Sequence, residues 1–118
     1  MEQLFKRIDT VFLTVHNLNE AIEWYTGVLK FSLRWERGNY AALNIGETPL
    51  TLRQAETVDF EPLKEAFFNF YVSDIEFVYQ HLLDNGVKVE EIQKEDDVNW
   101  FRFYDRDGNA LEVCHFAE

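Results

Sequence analysis

The chain runs through the same order of elements twice, and that repeat limits its fold more than any other feature. Residues 8–15 read as a strand, with Val11, Leu13 and Val15 alternating against Thr10, Phe12 and Thr14. A helix follows: Asn17 or Asn19 can cap it, and Ala21, Ile22, Tyr25, Val28 and Leu29 recur on one face. Three short strands then fall at 31–37, 40–45 and 50–53, separated by Gly38-Asn39 and by the turn from Gly46 to Pro49. The β-α-β-β-β order starts again with a strand at 67–72. Ser73-Asp74-Ile75-Glu76 reads as a capping box, and Ile75, Val78, Tyr79, Leu82 and Leu83 form a helical stripe ended by Asn85-Gly86. Strands at 87–92, 100–104 and 110–115 complete it. Val15-His16-Asn17-Leu18 overlays Val72-Ser73-Asp74-Ile75 at a shift of 57, and Leu50-Thr51-Leu52 overlays Leu111-Glu112-Val113 at a shift of 61. Duplication of one module, about 5–56 and again about 65–118, predicts an α+β chain forming a single domain.

Composition narrows the partners. The 118 residues carry a formal charge of −11, and 47% are hydrophobic, with 11 Phe, 5 Tyr and 3 Trp. The aromatic content is enough for a packed core, so the acidity does not imply disorder. A charge of this sign opposes binding to nucleic acid through phosphate contacts and docking on an anionic membrane. Residues 1–60 hold 6 basic and 8 acidic side chains, net −2, whereas residues 61–118 hold 5 and 14, net −9. The excess gathers in Glu90, Glu91, Glu95, Asp96 and Asp97, which read as a solvated loop. No segment approaches the ~20 apolar residues of a membrane span. The N-terminal residues lack the apolar run of a secretory signal, and the lone Cys114 suits a reducing compartment, so a cytoplasmic location is expected.

Several runs of residues resemble the vicinal oxygen chelate superfamily, which includes glyoxalase I, extradiol dioxygenases and the fosfomycin and bleomycin resistance proteins. They are Ile8-Asp9-Thr10-Val11, Ala21-Ile22-Glu23-Trp24-Tyr25 with Val28-Leu29-Lys30-Phe31, Val72-Ser73-Asp74-Ile75, and the closing run from Phe103 to Val113. The most specific part is Asp105-Arg106-Asp107-Gly108-Asn109-Ala110-Leu111-Glu112, whose turn needs a positive φ at Gly108. The resemblance implies two βαβββ modules pairing into an incomplete barrel around a concave cleft, helices outside, often as a homodimer. In metal-dependent members a ligand sits on the first and last strand of each module. Those positions here are Thr10, Thr51, Phe67 and Glu112. Only Glu112 is a usual ligand, and a catalytic zinc needs about three while a two-His-one-carboxylate iron site needs two imidazoles. No metal or other cofactor is therefore expected at that site.

Strand parity says which side chains share a face with Glu112. Thr10 brings Phe12 and Thr14, Thr51 brings Arg53, and Phe67 brings Asn69 and Tyr71. If the 105–109 loop pairs Tyr104 with Ala110, then Arg102 lies opposite Glu112 and Trp100 opposite Cys114. The expected ligand-binding cleft is thus Thr10, Phe12, Thr51, Arg53, Phe67, Asn69, Tyr71, Trp100, Arg102, Tyr104 and Glu112. Plain structural roles compete with this: Glu112 and Arg102 as a cross-strand ion pair, and the aromatics as filling for a collapsed barrel. Trp24 and Tyr25 read as helix packing, and His16, His81 and His115 as surface or core histidines. Cys114 reads as a small hydrophobe, with no histidine placed to activate it.

Three functions follow. The first is sequestration of an aromatic or drug-like small molecule without a metal, as bleomycin resistance proteins do, with Glu112 meeting a cation or Arg53 and Arg102 an anion. The second is a glyoxalase-like lyase, isomerase or dioxygenase using Glu112 as base or partial metal ligand. The third is an interaction protein whose dimer interface is its purpose.

Overall fold

A computed structural model describes residues 3–118. The elements are β1 (Val11–Val15), α1 (Leu18–Gly27), β2 (Ser32–Arg37), β3 (Tyr40–Asn44), β4 (Leu50–Gln54), β5 (Asn69–Tyr71), α2 (Ile75–Asp84), β6 (Gln93–Glu95), β7 (Val98–Tyr104) and β8 (Ala110–Phe116). The chain divides into two compact units, Met1–Phe60 and Glu61–Glu118, each with one helix and one four-stranded mixed sheet. The architecture is α+β.

The first sheet has the order β1-β4-β3-β2 and the second β5-β8-β7-β6, so each places its first and last strand side by side and parallel. The registers also coincide, with Phe12 opposite Thr51 in one and Asn69 opposite Glu112 in the other. These are the shifts of 57 and 61 found in the sequence. Hydrophobic burial holds the register, because a slip of one residue would exchange the two faces of the sheet.

In the first unit, Leu13, Val15, Ala41, Leu43, Leu50 and Leu52 are sealed with Leu18, Ala21 and Tyr25 of α1. Full burial of each large aliphatic contributes about 1.5–3 kcal/mol. Asn17 caps the helix, its Oδ1 accepting from the Glu20 backbone N–H at 2.9 Å. In the second unit Ile75 and Leu82 of α2 are buried, as are Phe101, Phe103, Leu111 and Val113 of β7 and β8. Here the cap differs from expectation. Asp74, not Ser73, is the N-cap, its Oδ1 accepting from the Phe77 N–H at 3.1 Å, because the helix starts one residue later than a box on Ser73 requires.

Two further expectations shift. Residues 87–92 are not a strand: the segment touches β7 through a bridge of Val89 to Phe103 and bonds from Glu90 N–H and Tyr104 N–H. The strand is β6, inside the acidic stretch read as a loop, and it hairpins onto β7 through a turn with Asp96 at φ 41°. Three exposed polar residues carry no apolar alternation, so only the turn marks the strand. β5 is shorter than expected and begins at Asn69, leaving Phe67 outside it, and β1 begins at Val11, leaving Thr10 outside it. No helix among the described residues is long and apolar enough to cross a membrane.

Candidate functional site

Residues paired across a sheet share a face, so the registers define the surface turned away from each helix. In the first unit that surface holds Thr10, Phe12 and Thr14, then Thr51 and Arg53, then Tyr40 and Ala42. A bulge at Arg34 adds Trp35, which pairs with Ala42. Without that extra residue Trp35 would share the face of Leu33, opposite Leu43 in the core.

Thr10 and Thr51 join here. Their Oγ1 atoms lie 2.6 Å apart, and the Thr10 hydroxyl is also 3.0 Å from the Pro49 carbonyl oxygen. Thr51 is only 2% exposed. Phe12 is 52% exposed and meets Tyr40 edge-on at 6.3 Å between centroids. Arg53 Nε–H donates to Thr14 Oγ1 at 3.0 Å, and its guanidinium stands over the Phe12 ring, 5.7 Å from the centroid. Two cavities open on this surface. One of about 370 Å³ is lined by Arg53 together with Thr14, Asn39, Tyr40, Glu56 and Phe60 among others. The other, about 410 Å³, is lined by Thr10, Phe12, Trp35, Tyr40 and Thr51 among others.

In the second unit the hairpin register is the expected one: Tyr104 opposite Ala110, Arg102 opposite Glu112, Trp100 opposite Cys114. Arg102 Nη2 lies 3.2 Å from Glu112 Oε2, and Nη1 is 3.4 Å from the Lys64 carbonyl oxygen. Its Nε is buried with no hydrogen-bond partner among the described residues. The Glu112 hydrogen bond, more than any other cause, holds the Arg102 guanidinium above its ordinary pKa. The Tyr104 hydroxyl donates to the Glu90 carboxylate, and Lys88 Nζ stands 4.7 Å from the Tyr104 ring centroid. Tyr71 donates to the Phe116 carbonyl at 2.7 Å, and His115 Nδ1 lies 2.7 Å from the Val72 carbonyl oxygen. Burial, and then the Glu112 charge, push the Cys114 thiol upward. A thiol held protonated in this way is a weak nucleophile.

Of the expected cleft residues, Thr10, Phe12, Thr51 and Arg53 gather on one face of the first unit. Asn69, Tyr71, Trp100, Arg102, Tyr104 and Glu112 occupy the corresponding face of the second. Phe67 stands apart from the strands and is 74% exposed. Trp35, Tyr40, Asn39 and Phe60 line cavities and were not anticipated. Parity along β3 from Thr51 and Arg53 would have found Tyr40, since Tyr40 pairs with Arg53. Trp35 was hidden by the bulge, and the loop residues have no periodicity to read.

Among the described residues no three His, Cys, Asp or Glu side chains gather in a way that could hold a metal ion. The residues at the positions implied by the resemblance do not fit one. Two of the four are hydroxyls bonded to each other, Phe67 has no lone pair to donate, and Glu112 is paired with Arg102.

Comparison with known proteins agrees with the fold. Metallothiol transferase FosB of Staphylococcus haemolyticus is 28% identical over 116 residues, covering 93% of this chain and 84% of its own. Virulence protein STM3117 of Salmonella typhimurium is 28% identical in sequence over 99% of this chain and 89% of its own. Its crystal structure superposes with a TM-score of 0.76 over 98% of this chain and 100% of that chain, at 25% identity. TnmS3, an antibiotic binding protein from Streptomyces sp. CB03234, superposes with a TM-score of 0.85 at 16% identity, over 98% of this chain and all of its own, which shows a shared fold. The sequence model of the Glyoxalase/Bleomycin resistance protein/Dioxygenase superfamily matches residues 7–113. With the duplicated β-α-β-β-β order and the paired registers already established, the chain belongs to that superfamily.

Proposed function

We propose that this chain binds a small aromatic molecule and sequesters it, with no transition metal at the position the superfamily uses. The observation that carries the reading is the hydrogen bond between Thr10 and Thr51, 2.6 Å between oxygens. Two neutral hydroxyls at ligand positions satisfy each other, so neither offers the imidazole or carboxylate lone pair that zinc or iron takes. Beside them stand exposed rings, Phe12, Trp35 and Tyr40, each able to cover a planar ligand. The corresponding face of the second unit carries Trp100, Tyr104, Tyr71 and Asn69 as proposed binding residues of that unit, and Phe67 is an exposed ring. TnmS3 is an antibiotic binding protein, which supports binding as a sufficient function for this fold.

The enzymatic alternative has one specific point in its favour, the likeness to a metallothiol transferase. Against a base or ligand role for Glu112 stands its ion pair with Arg102. A homodimer and a cytoplasmic location belong to the proposal as well. Exposed Leu4, Phe5, Ile8 and Phe77 provide apolar surface for a second copy, and the free Cys114 is buried.

Two measurements test the reading. Metal analysis of purified protein is expected to find no stoichiometric transition metal, and a thermal-shift screen of planar aromatics is expected to raise the melting temperature. Stoichiometric zinc, iron, nickel or manganese that is lost in Glu112→Ala would overturn it, as would a screen in which no aromatic compound stabilises the fold.

A further inference from the structure

We infer that the group which the first unit recognises on its ligand is an anion, held by Arg53. This rests on the small-molecule reading above and adds the charge of the ligand to it. The cationic side chains differ in how far they are already engaged. Arg7 pairs with Asp9 at 3.0 Å, Arg102 pairs with Glu112 at 3.2 Å, and Arg34 Nε donates to Asn44 Oδ1 at 2.6 Å on an exposed edge strand. Arg34 and Arg53 are each held only at Nε, but of the two Arg53 alone also stands over a ring. Thr14 takes only its Nε–H, and Phe12 lies against its guanidinium at 5.7 Å. Both terminal amino groups make no hydrogen bond or ion pair to any described residue, although Glu56 lines the same cavity. The side chain is therefore oriented at its Nε and over a ring while its two forward N–H pairs remain uncommitted at a cavity of about 370 Å³.

A planar guanidinium so held presents a fork that matches the two oxygens of a carboxylate or the oxygens of a phosphonate or phosphate. The aromatic edge formed by Phe12 and Tyr40, centroids 6.3 Å apart, borders it and suits a ring attached to that acid. In the second unit Glu112, the one carboxylate facing away from α2 on β8, is neutralised by Arg102, and Glu90 accepts from the Tyr104 hydroxyl, so both carboxylates are already engaged. Glu56 lies outside β4, in an exposed segment, and its charge opposes an anion at Arg53 without ion-pairing to it. That makes Glu56 an informative control.

The experiment titrates the ¹⁵N-labelled full chain with benzoate, phenylphosphonate, benzylammonium and benzyl alcohol. It follows the Arg53 Nε–Hε resonance and the amides of Phe12, Thr14 and Tyr40. Saturable shifts with the two anions are expected, with Arg53→Gln weakening them about tenfold or more and Glu56→Gln strengthening them a few-fold. Tighter binding of phenylphosphonate than benzoate would identify a phosphoryl-type acid as the group recognised, and the reverse order a carboxylic acid. Arg53 is exposed, so its variant is expected to fold, and an unchanged melting temperature checks this. Undiminished anion binding by folded Arg53→Gln would overturn the assignment. So would binding of benzylammonium or benzyl alcohol without the anions, which would leave the small-molecule reading standing. If none of the four probes binds at millimolar concentration, both fall.

Discussion

Asn109 folds back onto Asp105: its Nδ2 donates to Asp105 Oδ2 at 3.0 Å while its backbone N–H donates to Oδ1 at 2.9 Å. The same Oδ1 accepts from the Asp107 N–H, and Asn109 Oδ1 accepts from the Leu63 N–H at 2.8 Å. Asp105 is 5% exposed and Asn109 fully buried. The most recognisable motif of the sequence is thus a structural clasp that starts β8 and ties it to the segment before β5. Hydrogen bonds to a charged group contribute about 1.5–3 kcal/mol each, and orphaned buried donors add to the loss. Asp105→Ala is expected to destabilise the fold by about 3 kcal/mol, measured by urea unfolding. A change under about 0.5 kcal/mol would remove the clasp from the account.

Thr51→Val tests the threonine pair in isolation. The substitution preserves shape and removes the buried oxygen, while Thr10 keeps the Pro49 carbonyl as a partner at 3.0 Å. Losing one net hydrogen bond should destabilise by about 1 kcal/mol. For a chain this size that lowers Tm by about 4 °C, readable by calorimetry. The reciprocal Thr10→Val loses the Pro49 bond as well and orphans the buried Thr51 hydroxyl, so it should cost more, about 2 kcal/mol.

Much of this was legible because the two modules bury alternate residues. Leu13 and Val15 against Thr14, and Leu111 and Val113 against Glu112, have the period that only a half-buried strand imposes, so parity placed Arg102 beside Glu112. What could not be read lacked that period. β6 consists of Gln93, Lys94 and Glu95, all exposed, and nothing in a polar triplet separates strand from loop. Trp35 moved because a bulge reversed the parity after Leu33. The division of labour between the two arginines was also invisible. Sequence put Arg53 and Arg102 on equal terms, and only coordinates reveal that one is neutralised and the other merely steadied.

The ion pair of Arg102 and Glu112 is partly buried, with side chains 26% and 23% exposed. Breaking one side leaves the other under-solvated, so Glu112→Gln should destabilise by about 1 kcal/mol, between the exposed and fully buried cases. Arg102→Leu combined with Glu112→Leu should recover most of that loss, since apolar pairs of similar volume replace such pairs with little penalty. Calorimetry of Glu112→Gln, of Arg102→Leu and Glu112→Leu singly and of the double variant checks both, and single losses that simply add in the double would argue against direct coupling.

Tyr104 supplies a pH dependence whose sign can be worked out. Its hydrogen bond to Glu90 is the largest cause raising its pKa above 10.0, burial and the Glu90 charge add to this, and Arg102 opposes it. The folded chain therefore holds this proton more tightly than the unfolded chain. The stabilisation is complete below the unfolded value near 10 and is lost as pH rises through the higher folded value. Tyr71, raised by burial and then by Glu118 and Cys114, and Cys114, raised by burial and then by Glu112, also hold their protons more tightly in the folded chain. The difference between the native chain and Tyr104→Phe isolates one group. Urea unfolding from pH 8 to pH 11 should show the native chain losing stability more steeply above pH 10 than the variant, with tyrosinate absorbance of one residue delayed. Parallel stability curves for the two proteins would show that the Tyr104 hydroxyl does not hold its proton through Glu90.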